Sequence, residues 1–527
     1  MNTRRFTPKA MLSALLIAAS CSWAVAAHAA DFKLAVSGEI TSMDPHFGNI
    51  FPNNNVMEHI FETLVTRDAD SKLIPGLATA WEPVDPVTWE FTLRPDVKFH
   101  DGSTLTADDV VHSLQRPATL TNSTAPFTTY TKAIVSAEAD GNIVRIKTSS
   151  PYPLLPNDLS AIYIVSKAAT GDVKTPEFDQ GKGMIGTGPF KFVSFARGDR
   201  IELTRNEDYW GEKPAWDKVT LRILTNDASR MAALLSGDVD AIENIPSSDY
   251  GKLKANTNFN VAQKVSHRTL MFVLDSDRDV SPFVTDKAGK PLAKNPLKDP
   301  RVRLALSKAI NRQGISERVM EGLSLPTANL VPPSIFGHAD DVKVEEYNPA
   351  AAKELLAQAG YPDGFGITLH APNNRFVNDS RITQAVAQML TQAGVQAKVE
   401  AMPFSVYVGR ASKLEFSMTL LGWGATSAEA SSPMRALIAT FNPEEGMGAY
   451  NWGRYSNPEF DKLLKDALQT LDTDKREELL KDMIRLVNKD TAVIPIHQQA
   501  TSWASRKGIN YIARTDEYSL AQKFVKE

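Results

Sequence analysis

The residues whose types and spacing suggest chemistry begin with Gly181, Gly183 and Gly186, which match the G-x-G-x-x-G dinucleotide fingerprint. That fingerprint has to follow a strand and open a helix. Here it follows a polar stretch and runs into TGPF at 187–190, which reads as turn then strand, so no nucleotide site is expected. Asp275, Asp277 and Asp279 fall at the first three ligand positions of a calcium loop, but Val280 stands where Gly is needed and Asp286 replaces the closing Glu. A solvated acidic loop is the better reading. The nine histidines form no H-E-x-x-H and no close pair, and His46 and His59 read as structural. Neither a G-x-S-x-G elbow nor a phosphate-cradling Gly-x4-Gly-Lys loop is present, and scattered carboxylate pairs among 62 acidic residues do not define a glycosidase. The expectation is a protein that is not an enzyme, with no catalytic residue, no metal set and no cofactor.

Arg4, Arg5 and Lys9, an apolar run over 10–27 and the Ala27-His28-Ala29 box read as a cleaved export segment, residues 1–29. Thr7 and Pro8 after the twin arginines favour the general secretory route. The single cysteine, Cys21, lies in this segment, and Ala18 three positions before it argues against lipid attachment. The exported chain is therefore expected to have no cysteine, which removes disulfides, thiolate nucleophiles and Cys-based metal sites together. Loss of the segment lowers Lys+Arg from 58 to 55 against 62 acidic residues, a balance of −7 and no footing for nucleic acid.

The chain's 527 residues exceed what one core supports, and 43% hydrophobic content excludes wholesale disorder, so two large lobes or three are expected. Strand-like runs at 32–36, 89–93, 144–147 and 219–224 alternate with amphipathic segments at 348–359, 381–392 and 457–471. Asp299, Asn348 and Asn457 each precede a Pro at a first helical position, and Thr106 with Asp109 makes a capping box. The class is α/β without a repeat.

PGLATAWE at 75–82, WEFTLR at 89–94, VKFHDG at 97–102 and LTADDVVHSL at 105–114 together resemble the signature block of the family 5 extracytoplasmic solute-binding proteins. Those proteins are the peptide, nickel and opine receptors of ATP-driven importers. GTGPF at 186–190, NEDYWG at 206–211, LLSGDVD at 234–240, DPRVRLAL at 299–306, AKELLAQAGY at 352–361 and YSNPEFD at 455–461 extend the resemblance, in family order, along nearly the whole exported chain. Physically most of these motifs read as scaffold, with Gly186 and Gly188 permitting a tight approach to a strand. The resemblance implies a bilobal periplasmic-binding-protein fold of the long peptide-receptor subclass, type II, with an inserted extra domain. It divides the chain into lobe I (30–50, 185–268 and 491–527), an inserted domain (51–184) and lobe II (269–490), with crossings near 268–274 and 490–498.

The same resemblance implies a periplasmic, monomeric receptor that closes like a clamshell on an oligopeptide or similar zwitterionic solute and delivers it to ABC permease subunits with cytoplasmic ATPases. A nickel chelate, opine or sugar conjugate is the alternative. LGWGAT at 421–426 resembles the family's G-W loop, in which many peptide receptors carry an Asp for the ligand ammonium; here that position holds Thr426. A neutral Thr cannot supply the charge-assisted bond, and Glu429 is the candidate to replace it, or a solvated loop residue. Trp423 reads as a stacking wall or a core Trp. Arg375, at the carboxyl end of the strand 366–370, is positioned to fork onto a ligand carboxylate or to pair with Asp379. Arg410, Phe47 and Tyr450 complete the expected contacts.

Overall fold

The computed structural model describes residues 30–123 and 125–527, so the export segment and Cys21 lie outside the described residues. Among the described residues no helix is long and apolar enough to cross a membrane.

Two strands organise the molecule, Phe259–Leu274 and Val493–Arg506, paired antiparallel through the centre of a 12-stranded sheet. Their length follows from composition: TLMFVL at 269–274 and VIPI at 493–496 are continuous apolar runs, as strands covered on both faces must be. Their register breaks between Val265 and Thr269, opposite Ala500 and Gln498. Of the expected crossings, residues 269–274 and 493–498 lie in these strands on one side of that break. On the other side Asp31–Val36 runs parallel to Lys218–Ile223 and to Ala241–Glu243, which in turn joins Val493–Arg506. Beyond the break, Met418–Gly424 pairs with Phe259–Leu274, and the parallel strands Gly366–Pro372 and Gln396–Met402 follow.

The expected helix starts hold. Asn348 accepts from Ala351 N, Asn457 from Glu459 N and Asp299 from Arg301 N, each satisfying one orphan N–H ahead of a Pro-started helix. Thr106 and Asp109 close the capping box of Ala107–Gln115, where Asp109 Oδ2 accepts from Thr106 N at 2.9 Å.

Residues 51–184 carry their own antiparallel four-stranded sheet, in the order Ala78–Asp85, Thr88–Leu93, Ile143–Thr148, Ile134–Asp140. Their apolar interior is nevertheless continuous with that of the first lobe: Phe61, Phe91 and Phe178 belong to one cluster with Phe32, Phe190 and Trp503. The 42–47 loop fastens the two, because Asp44 takes both guanidinium nitrogens of buried Arg116, at 2.7 and 2.8 Å, and the Thr175 hydroxyl. Two further apolar clusters lie wholly between 270 and 496, on the two faces of the second half-sheet.

Candidate functional site

A cavity of about 220 Å³ opens at the register break, where both halves of the sheet and the 51–184 segment meet. The chain reaches it from five directions: Glu58 just past the helix Phe51–Met57, Arg67 at the end of Val65–Arg67, His267 and Arg268 in the break itself, Thr426 after Met418–Gly424, and Arg514 with Asp516 in the C-terminal loop. Tyr130, Tyr163, Tyr518 and Phe51 supply ring faces.

Most of its charges are paired. Arg514 contacts Asp516 at 2.5 Å and Arg268 contacts Glu517 at 3.3 Å. Burial works to raise the Glu517 pKa, yet the Arg268 and His267 charges and hydrogen bonds from Ser266 and Arg268 together hold the carboxyl below its ordinary value.

Two groups differ. Arg67 donates only to neutral oxygens: Nε to Ser160 Oγ at 2.9 Å, Nη2 to the Asn157 carbonyl at 3.2 Å, and Nη1 to the Thr426 carbonyl. Two of its five N–H groups remain, and no carboxylate pairs with it among the described residues. Burial lowers its pKa, but a guanidinium stays charged at any working pH. Among the described residues Glu58 likewise has no basic partner within salt-bridge distance, its side chain accepting only from the Tyr163 hydroxyl at 3.3 Å. Burial raises it to about 7, against the attraction of Arg514.

The wall is tied across the gap between the 51–184 segment and the second lobe. Arg67 grips the Thr426 carbonyl, and Asn157 Nδ2 donates to the Ser427 carbonyl at 2.7 Å. The G-W loop can lie this close because its glycines leave room: a Cβ on Gly422 would meet the Phe376 ring at 2.6 Å, and one on Gly424 would meet His267 at 2.9 Å.

Of the residues singled out from sequence, Thr426 alone lines this cavity, and its main-chain carbonyl accepts from Arg67. Glu429 is instead buried against Arg476, their side chains 3% and 9% exposed, and faces a separate cavity. The Arg375 guanidinium stands 5.4 Å from both the Phe376 and Phe404 rings, outside the cavity lining; Asp379 accepts from the Arg375 backbone N–H, not from its side chain. Arg410 is committed to Glu400 at 2.6 Å and Glu415 at 2.8 Å. Trp423 donates to Ser432 Oγ at 3.1 Å and packs on Tyr450, which is exposed, while Phe47 is half-buried with its carbonyl taken by Ser123. None of these last three lines the cavity. Glu58, Arg67, Arg268, Arg514 and Asp516 were not foreseen. The signals for some were present: HR at 267–268 stands just before the apolar run LMFVL at 270–274, and RTDEY at 514–518 concentrates charge near the chain end.

This bilobal α/β architecture, with its cavity at the junction of two half-sheets, defines a solute-binding protein. Residues 72–444 match the family described as "Bacterial extracellular solute-binding proteins, family 5 Middle", and the chain belongs to that family. It is 30% identical over 506 residues, 93% of each chain, to the glutathione-binding protein GsiB of Salmonella typhimurium. Its fold is shared with DppA from Helicobacter pylori in complex with the peptide STSA (TM-score 0.72, 24% identity, 94% of this chain and 98% of that one). It is shared also with NikZ from Campylobacter jejuni in complex with Ni(L-His) (TM-score 0.74, 23% identity, 94% and 99%). The relatives are solute-binding transport proteins.

Proposed function

We propose that this chain is the receptor of an ATP-driven importer, and that its cleft takes a short peptide with a free ammonium and at least one carboxylate, of the size of glutathione. The observation that carries the reading is the pair of opposite charges, Arg67 and Glu58, facing one cavity without ion-pair partners among the described residues. Arg67 has two N–H groups left for a ligand carboxylate, and Glu58 offers an acceptor to an ammonium. The tyrosines add apolar walls with polar rims, the usual composition of a small-ligand site. In this reading the chain is exported by its 1–29 segment, works as a monomer without catalysis, and hands its cargo to membrane permease subunits. Lobe I (30–50, 185–268, 491–527), the insert (51–184) and lobe II (269–490) move as its parts.

Titration calorimetry with glutathione and with dipeptides tests it. Arg67→Met and Glu58→Gln each weaken binding at least about 30-fold, the loss typical of truncating one partner of a buried charge pair. Unchanged affinity in both variants overturns the assignment. Mass spectrometry of small molecules released from protein purified from its native host separates the ligand classes: short peptides support the reading, and a metal chelate or sugar conjugate replaces it.

A further inference from the structure

The strand Gln396–Met402 ends the large sheet on the side of the second lobe. It pairs with Gly366–Pro372 along one edge, and its other edge meets no strand among the described residues. Three other edge strands, Phe190–Ala196, Ala78–Asp85 and Ile134–Asp140, are each broken by a bulge, a device that keeps an edge from adding a foreign strand. Gln396–Met402 has none: all 7 residues keep one register with their neighbour, and the first proline comes only at Pro403. Hydrogen-bond parity then fixes which groups are free. Gln396 donates its N–H to the Phe365 carbonyl and the Met402 carbonyl accepts from Asn373 N, so the even-numbered residues bond inward. Ala397, Val399 and Ala401 therefore turn N–H and C=O outward, where the Ala397 N–H finds only the Thr391 hydroxyl, at 3.4 Å.

The sequence of this strand is complementary to itself. Turned about a two-fold axis at Val399, Ala397 falls opposite Ala401 and Val399 opposite itself as hydrogen-bonded pairs, and Lys398 falls opposite Glu400 as the closer, non-hydrogen-bonded pair. Lys398 is exposed and has no carboxylate partner among the described residues, and the Glu400 side chain stays 45% exposed while held by Arg410 and His370. Moving the axis by one residue sets Lys398 against Lys398 or Glu400 against Glu400, so charge selects the register. Beside the strand runs an open groove, lined by Gln384, Gln388, Thr391 and Gln392 of the helix Asp379–Gln392 and by Ala397 and Val399, with no charged side chain. Gln384, Gln388 and Gln392 follow one another a turn apart on one face, and an amide both donates and accepts, so the same stripe on a second copy is a fitting partner.

We propose that this edge binds a second copy of the chain, through an isologous antiparallel pair of Gln396–Met402 strands centred on Val399. The large sheet then runs on from one copy into the other. Gly366–Pro372 and Met418–Gly424 stand between this edge and the register break at 265–269, so both clefts stay complete and the single chain remains the working unit. One strand and one helix face per copy make a small interface, and the dimer is a reversible one. It does not depend on which solute the cleft takes.

Sedimentation equilibrium of the exported chain, from about 10 µM to about 0.5 mM, tests it. The expected result is a dimer and no larger species, because a two-fold pair uses up the edge. Lys398→Glu, which sets carboxylate against carboxylate, weakens the dimer at least about tenfold. Val399→Pro removes the outward N–H at the axis and abolishes it, a change an edge strand tolerates. Residues 30–527 hold no cysteine, so Val399→Cys reports the register: directly opposed residues stand about 5.5 Å apart, and oxidation links the copies by a disulfide. Circular dichroism checks that each variant is folded, and Lys398→Glu, on the surface, decides the matter if Val399→Pro is not. A chain that stays monomeric at the highest concentration overturns the proposal and leaves the edge to a strand of another protein. A dimer that survives Lys398→Glu, or that Val399→Cys does not cross-link, also overturns it, because the copies then meet elsewhere.

Discussion

Glu58 sets the pH response of the cleft. Its pKa near 7 in the empty protein comes from burial, which disfavours the charged form, and an ammonium brought beside it restores that form. Below about pH 7 the ligand must therefore displace a proton, and affinity falls by up to about tenfold for each further unit. Above that pH the dependence vanishes. Calorimetry at pH 6 and 8, in buffers of different ionisation enthalpy, should show proton release only at the lower pH, and Glu58→Gln should abolish it. A flat profile in the unaltered protein would remove Glu58 from the ammonium site. Glu429 belongs to a different kind of argument: its carboxylate is 3% exposed against Arg476, and burial raises its pKa despite that neighbour. Arg476→Met alone strands a buried carboxylate and is expected to cost about 3–5 kcal/mol, whereas Glu429→Gln with Arg476→Met together should recover most of it. Urea denaturation of the two variants and the unaltered protein checks this. The partner explains why the sequence misleads at Glu429: the loop's acidic pattern is local, but Arg476 arrives from 47 positions away. Arg67 and Glu58 were equally illegible, because nothing near them in sequence says that the cavity will form there.

Elements were far more legible than side-chain roles, because their signals are local. Asn348-Pro349 and Asn457-Pro458 announce helix starts through backbone chemistry that no tertiary contact overrides, and the strands at 32–36 and 144–147 appear within a residue of their expected ends. The 186–190 motif is legible in kind and not in contact. A Cβ at Gly186 would lie 1.9 Å from the Ile60 carbonyl oxygen, and one at Gly188 would lie 2.7 Å from the same atom. These glycines let the turn before Phe190–Ala196 press on the backbone after the helix Phe51–Met57, which is what brings Glu58 to the cavity. Gly186→Ala is expected to cost about 3 kcal/mol or more, since the obstacle is main chain and cannot rotate away. Gly251 is the control: it sits inside the helix Ser247–Ala255 with nothing within 4 Å of its would-be Cβ. Gly251→Ala should stabilise by about 0.5–1 kcal/mol. Opposite shifts in melting temperature are the readout, and equal shifts would show that the 186–190 turn is not set by this contact.

For the molecule as a whole, the continuous sheet and the cleft make opposing demands. The two strands that carry the sheet through the junction, Phe259–Leu274 and Val493–Arg506, must also let the halves move, and their register break at 265–269 is where the ladder is weakest. Closure then depends on what crosses the gap elsewhere. Asn157 Nδ2 to the Ser427 carbonyl and Arg67 to the Thr426 carbonyl are such bonds, and both end on main chain, so they form whatever the ligand's side chains are. That arrangement suits a receptor that must close on more than one related solute. Asn157→Ala removes one bond while its own carbonyl still receives Arg67. A hydrogen bond of this kind contributes about 0.5–1.5 kcal/mol, so the closed population and hence ligand affinity should fall by roughly 2–12-fold. Small-angle scattering should show a larger radius of gyration for the unliganded variant than for the unaltered protein, and the same radius for both at ligand saturation. Equal radii without ligand, with equal affinity, would mean that closure is driven by the ligand alone and that the carbonyl grips form after it.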